Sequence, residues 1–527
     1  MAFRLFTLIA IFGLLFGLLG YGLYRLQIEK SPYYAQRAET QIAATNQLVL
    51  RRGQIFFTNR ANQQVPAAFN RDYPAVYAVP KDIKDPAKTS AVLAPVISWP
   101  EANLATALNN PKSLFKLLVD KISPEVAQAV TDLSLPGIYI NNKQYRFYPY
   151  NNLASQLLGF VGLNEKNPQP VGLYGVEKKW DVDLSAGKNL NLTVDRDLEA
   201  ESDQILTDLV NKFKAAGGTI IIQEPQTGKI LAMVNKPDFN PNDYKNSTIA
   251  NFINPSVQSV YEPGSVMKPI TMAAGIDLGT ITPETTYVDK GEVTLNGKTI
   301  KNWDLKAHGK ITMTNVIEDS VNTGVVFVES QIGNANFLTY LKKFGFGDNS
   351  GIDLPDEVAG SLRNLEKKAL RQIDFATAAF GQGVAVTPVQ LITAFSSLAN
   401  GGLLMKPYIN VADKPQVVRR VISEETSKKV VKMMQSAVEK AHVASIPGYQ
   451  IAGKTGTAYI PDFKNGGYSN DFVHTYVGFA PVTNPKFVIL LKLEKPQAEL
   501  AGLTVVPAFH DLAQFVLNYY NVPPDNL

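Results

Sequence analysis

The sequence predicts a mixed α/β (α+β) main domain behind a smaller mixed region and one membrane-spanning helix. Three observations carry this. Residues 5–24, LFTLIAIFGLLFGLLGYGLY, form an uncharged run; at about 1.5 Å per residue it can cross a hydrocarbon core of about 30 Å. Residues 217–237, GGTIIIQEPQTGKILAMVNKP, read as two β-runs joined at Pro225-Gln226-Thr227-Gly228, a hairpin signal. A helix-rich middle follows, and then further strand-like runs. The chain has 527 residues, more than the roughly 250–300 that one core usually supports, so several domains are expected.

The apolar run ends in Tyr24-Arg25-Leu26-Gln27, with no small-residue cleavage site. A cleaved signal has a shorter core, about 7–15 residues, so a retained anchor over 5–24 is expected, with residues 1–4 as a tail. Arg4 precedes the span and Arg25, Lys30 and Arg37 follow it, so charge alone does not orient it. Gly13 and Gly17, extended by Gly20, form a face that another helix can approach. Residues 25–215 read as a separate mixed domain. Within it, 47–57, QLVLRRGQIFF, reads as a strand, and 112–133 as amphipathic helices broken at Ser123-Pro124. Residues 196–215 place apolar side chains at helical spacing. Ala216-Gly217-Gly218 ends that helix and puts the boundary of the main domain, 216–527, near residue 216.

Composition narrows the chemistry. The chain is 45% hydrophobic and 19% charged, as a folded protein should be. Its net charge of +4, from 51 basic and 47 acidic residues, is too balanced to suggest nucleic-acid binding. The absence of cysteine excludes disulfides, thiolate zinc sites and a cysteine nucleophile. His308, His442, His474 and His510 form no HExxH-type pair. Neither a metal nor a cofactor is expected.

Gly448 to Thr455, GYQIAGKT, fits the P-loop pattern. A P-loop needs a strand before the glycines and a helix straight after Lys-Thr, whose N-terminus holds phosphate. Tyr449-Gln450-Ile451 fits the strand. The residues after Thr455, GTAYIP, hold β-formers and a proline, and Asn465-Gly466-Gly467 then turns the chain into HTYVGFAPV. That is a hairpin, with Lys454 inside a strand.

A different constellation absorbs Lys454. In YEPGSVMKPITMAAGIDL, residues 261–278, the Pro263-Gly264 turn opens a helical segment. Ser265 and Lys268 then share one helical face, and Pro269 falls where a missing N–H costs little. A serine hydroxyl needs a base to become a nucleophile, and a lysine serves if burial or a nearby cation depresses its pKa. Alone, this pair is weak. Ser320-Val321-Asn322 and Lys454-Thr455-Gly456 follow in order, and Ser-x-x-Lys, Ser-x-Asn, Lys-Thr-Gly is the motif set of penicillin-interacting serine enzymes. The expected roles are Ser265 as nucleophile, Lys268 as base, and Ser320 as proton relay. Asn322 would hold Lys268 or a substrate amide. Lys454 would supply positive charge for a carboxylate, with hydroxyls from Thr455 and Thr457. Gly456 would leave room for substrate, and the N–H groups of Ser265 and Thr457 would stabilise an oxyanion.

With these motifs in place, the chain resembles the class B penicillin-binding proteins, the peptidoglycan D,D-transpeptidases. Arg146-Phe147-Tyr148-Pro149 with LASQLLGFVG resembles that family's RxYP…LGxVG stretch, and Gly172-Leu173-Tyr174-Gly175-Val176-Glu177 its GxxGxE. Pro237-Asp238-Phe239-Asn240-Pro241-Asn242, Phe380-Gly381-Gln382-Gly383, TPVQL, LANGG and YVGFAPVTNP complete the pattern. The resemblance implies a penicillin-recognising, β-lactamase-like transpeptidase domain on an elongated N-terminal pedestal. It implies stem peptides ending in D-Ala-D-Ala as substrate and β-lactams as inhibitors. It also implies an outward-facing catalytic domain on a single-pass anchor in the cell membrane, and a SEDS-type glycosyltransferase with other divisome or elongasome membrane proteins as partners. Two stretches depart. Arg52 to Arg60, RGQIFFTNR, lacks the Asp, Arg and final Gly of the family's RGxIxDRNG, and Asp197-Leu198-Glu199 stands where Leu-Gln is usual. A D,D-carboxypeptidase, a penicillin sensor, a β-lactamase and a non-catalytic scaffold share enough of these features to stay open.

Overall fold

Five antiparallel strands form the central sheet, in the order Ala452–Pro461, Tyr468–Ala480, Phe487–Glu494, Gly217–Gln223, Ile230–Lys236. The computed structural model describes residues 2–25, 51–164 and 167–525. Side chains alternate across a strand, so Ile220, Ile222, Ile489 and Leu491 enter one core, and Ile221, Val488 and Leu490 the other. Helices Arg196–Phe213 and Val505–Tyr519 cover the first face through Leu206, Leu209, Phe509 and Leu512. Helices Lys268–Asp277 and Pro388–Ala399 cover the second through Ile270, Ala273, Leu391 and Phe395. Burying a side chain such as Phe509 or Leu512, each 0% exposed, stabilises by about 1.5–3 kcal/mol.

The expected 217–237 hairpin forms, with strands Gly217–Gln223 and Ile230–Lys236. The helix before it starts where the Asp195 carboxylate accepts from the N–H groups of Asp197 and Leu198 and ends at left-handed Lys214.

The N-terminal region holds two cores. Strands Val65–Ala78, Lys116–Val119 and Ile138–Phe147 pack with three short helices around Val76, Leu93, Leu104 and Ile122. This distal lobe has its own core, but its strand Val65–Ala78 also pairs through residues 65–68 with the strand Ile55–Thr58. The proximal strands Ile55–Thr58 and Leu190–Asp195 pair in parallel. Their Ile55, Phe57, Leu190 and Val194 belong to the core shared with helices Lys268–Asp277 and Pro388–Ala399. Thr193 N–H donates to Ile409 O at 2.8 Å and Val411 N–H to Asn191 O at 2.9 Å, stitching the two regions together.

Three local expectations need correction. Of residues 47–57, 47–50 lie outside the described residues and only Ile55 onward is strand. Before it, the Arg52 side chain turns to Glu177 and Gly53 presses so close that a Cβ would lie 1.8 Å from Lys188 O. Within 112–133, Lys116–Val119 is a strand paired with Val76–Ala78; the helix, Pro124–Asp132, starts at the Ser123 cap. Tyr449-Gln450-Ile451 is not a strand: Tyr449 closes a turn onto Ile446, and the strand begins at Ala452.

The apolar N-terminal run is one helix, Ala2–Tyr24, of 23 residues. Among the described residues no helix is long and apolar enough to cross a membrane.

Candidate active site

Tyr261-Glu262-Pro263 lead into a 3₁₀ turn, Gly264–Met267, that runs directly into helix Lys268–Asp277. Pro269 sits in the first turn of that helix, where an N–H would have no intrahelical partner. Gly264 has φ +63°, a conformation that favours glycine, and a Cβ there would lie 2.9 Å from Ala458 Cβ. Gly381 closes on it from the other side: the Gly264 N–H donates to Gly381 O at 3.2 Å. A Cβ on Gly381 would lie 2.3 Å from Gly264 O. The turn carrying Ser265 is thus clamped between the edge strand and the Phe380–Gly383 loop.

Ser265 is half-buried and Lys268 fully buried. Lys268 Nζ donates to the backbone oxygen of Ser320 and to its Oγ, the latter at 3.1 Å. Lys454 Nζ reaches the same Oγ at 3.0 Å, and also Thr455 O at 3.2 Å and Thr455 Oγ1 at 3.3 Å. Two amines therefore converge on one hydroxyl. Burial, and then the charge of Lys454, hold Lys268 well below the usual lysine range. Burial alone brings Lys454 down to about 7. Both shifts follow from removing an ammonium from water. Ser320 pays for its place with a left-handed backbone, φ +55°, at a cost of about 1–2 kcal/mol for a residue with a Cβ.

Asn322 opens helix Asn322–Ile332. Its Nδ2 donates to Lys301 O at 2.9 Å, not to Lys268, so one of its two expected roles is not seen. Ser320, through both of its oxygens, is what holds Lys268.

The strand Ala452–Pro461 lies at the edge of the sheet, paired among the described residues with Tyr468–Ala480 alone. Lys454 is in this strand, opposite Val477, and no helix follows it, so the P-loop pattern has no structural counterpart. A Cβ on Gly456 would lie 2.8 Å from Pro263 O and 3.2 Å from Val266 Cγ1, so the missing side chain lets the Ser265 turn pack against the strand. Thr455 and Thr457 are half-buried on the alternate side of the strand. Thr457 Oγ1 accepts the Ala501 N–H at 3.2 Å.

Residues 218–514 match the penicillin binding protein transpeptidase domain, and residues 49–217 the penicillin-binding protein dimerisation domain. The chain belongs to the class B penicillin-binding proteins. It is 32% identical to stage V sporulation protein D of Bacillus subtilis, over 87% of this chain and 77% of that one. It is 28% identical to the peptidoglycan D,D-transpeptidase FtsI of Escherichia coli, over 95% of this chain and 89% of that one. The crystal structure of a peptidoglycan synthetase from Bifidobacterium adolescentis shares the fold, with TM-score 0.69 and 23% identity over 91% of this chain and 97% of that one.

Around this class B site the structure adds a residue that sequence reasoning missed. Glu262 Oε1 accepts from Gly383 N–H at 3.0 Å, and Oε2 from the Tyr468 hydroxyl at 2.9 Å. Burial pushes this carboxyl up from the ordinary range. One side chain thus ties the Ser265 turn, the glycine loop and the edge hairpin together. Its only trace in the sequence is an acid held directly before Pro-Gly.

Proposed function

We propose that the chain is a peptidoglycan D,D-transpeptidase working through an acyl-enzyme on Ser265. The observation that carries this is the convergence of buried Lys268 and Lys454 on Ser320 Oγ, beside the clamped Ser265 turn. Neutral Lys268 takes the Ser265 proton as Oγ attacks the carbonyl of the penultimate D-Ala. The N–H groups of Ser265 and Thr457 receive the negative charge that develops on the carbonyl oxygen. The C–N bond breaks, and the terminal D-Ala leaves as an amine protonated through Ser320. An amine of a second stem peptide then attacks the ester, forms the cross-link and returns the proton to Ser265. Lys454, Thr455 and Thr457 take the terminal carboxylate, and Asn322 the substrate amide. A bound carboxylate draws Lys454 back toward its charged form, so the cation is strongest when the site is filled. β-Lactams acylate Ser265 by the same first step.

The same reading takes residues 5–24 as a single-pass anchor, with 1–4 cytoplasmic, 25–215 as pedestal and 216–527 as the transpeptidase domain outside the membrane. Anchor and pedestal then dock a SEDS-type glycosyltransferase and other divisome or elongasome proteins. The support is the uncharged run, the names of the relatives and the outward-facing chemistry of the substrate. The full-length protein in detergent, given D-Ala-D-Ala stem peptides, should release D-Ala in step with cross-link formation. D-Ala release without cross-links would point to a carboxypeptidase instead.

A further inference from the structure

Thr457 Oγ1 already accepts an N–H, from Ala501 at 3.2 Å. A threonine hydroxyl otherwise rotates freely between donating and accepting; here one lone pair is taken, which biases the proton toward a ligand. Ala501 opens a 3₁₀ turn, Ala501–Leu503, and that turn is pinned from behind. Thr504 Oγ1 lies 3.4 Å from the Ala501 carbonyl, to which it donates, and 2.9 Å from Nδ1 of His474. His474 stands directly across the strand pair from Thr457, so the path returns to the rung of the sheet where it began. Ala501, Thr504 and His474 are 2%, 1% and 0% exposed, so water does not compete for these contacts.

The Ala501 carbonyl accepts the Thr504 N–H at 3.1 Å, which closes the turn, and the Thr504 hydroxyl pairs with His474 Nδ1. The Ala501 N–H goes to Thr457 Oγ1. The His474 ring also meets the Glu499 backbone. Burial keeps the ring neutral, with its pKa pulled down to about 4.

We propose that His474 and Thr504 are positioning residues for recognition of the ligand carboxylate: they fix the Ala501 turn, whose N–H aims the Thr457 hydroxyl at the anion. This rests on the carboxylate-binding role proposed for Thr457. Neither residue touches substrate, and neither belongs to the three motifs. Preorganising a donor lowers the ordering cost paid when the ligand binds.

The test compares acylation of the full-length protein in detergent by benzylpenicillin and by its methyl ester, which lacks the anion. The ratio of the two second-order rates is taken within each variant, so a general loss of folded protein cancels. Thr504→Val and His474→Leu should slow penicillin about fivefold to tenfold, the scale of one misdirected hydrogen bond, and leave the ester within about twofold. His474→Asn, whose amide can place a hydrogen-bonding group near the Nδ1 position, should recover most of the loss. Thr457→Val should show the same selectivity for the anion. If Thr457→Val is selective but Thr504→Val and His474→Leu slow both compounds alike, or neither, the positioning role is wrong. If Thr457→Val is itself unselective, the carboxylate role of Thr457 fails, and the positioning role with it.

Discussion

The motifs that hold Ser265, Lys268, Ser320 and Lys454 are legible in the sequence because three ordered motifs are specific, and the structure brings Lys268 and Lys454 together on Ser320. What could not be read is contact between distant segments. The missing Cβ of Gly456, which would lie 2.8 Å from Pro263 O, also lets the Ser265 turn pack against the strand. Glu262 showed no pattern, because its partners Gly383 and Tyr468 are remote in sequence. The Gly456 contact gives a prediction. A backbone carbonyl cannot swing aside as a flexible side chain can, so Gly456→Ala must displace the Ser265 turn from the strand. Acylation by penicillin should fall at least about tenfold, since small misplacements of a nucleophile cost that much or more. The melting temperature should drop by only a few degrees. Stopped-flow acylation and calorimetry check the two halves separately.

Elements were legible where period and punctuation agreed. Helix Arg196–Phe213 has apolar spacing, an Asp195 cap and glycines just beyond its end, and the hairpin after it has two β-runs about a turn. Lys116–Val119 was misread because Leu117, Leu118 and Val119 fit either period, and pairing with Val76–Ala78 decides. The departure at Glu199, on the first of these helices, has a physical consequence. Its carboxyl is fully buried, and Oε2 accepts the Met233 N–H at 2.7 Å. Burial, the largest cause, raises its pKa from 4.5 to about 8. A folded-state pKa above the unfolded one means the folded chain holds a proton that the unfolded chain releases. The stability this contributes is complete below about 4.5 and is lost as pH rises through about 8. Glu199→Gln keeps an acceptor for Met233 and removes the titration. Its melting temperature should exceed that of the parent at pH ~9 by several degrees, with little difference at pH ~5.

At the scale of the whole molecule, one N-terminal domain was expected and the structure builds it around two cores. The proximal strands share the core of the catalytic side, while the distal lobe has its own. The glycine-flanked Glu177 motif was recognised, but its purpose depends on chain segments that only folding brings together. Glu177 is 0% exposed and receives Arg52 Nε at 2.7 Å and Arg146 Nε at 2.6 Å. Arg146 sits near the end of the distal strand Ile138–Phe147 and Arg52 just before the proximal strand, so this carboxylate ties together two parts that strand Val65–Ala78 also bridges. Removing one partner of a buried ionic group strands the rest, at about 3–5 kcal/mol. Glu177→Ala should therefore speed hydrogen exchange across 65–147 while the five-stranded sheet stays protected. Ser265 should still acylate. Equal loss of protection in both parts would mean that the two cores open as one.

The central claim is that Ser265 is the nucleophile and buried Lys268 its base. It is tested most directly by incubating the full-length protein in detergent with a fluorescent penicillin and following the covalent adduct over time. The account predicts a long-lived adduct on the peptide containing Ser265, absent in Ser265→Ala and formed at least ~100-fold more slowly in Lys268→Ala. An adduct on another residue, one that vanishes within seconds, or no adduct at all would contradict it.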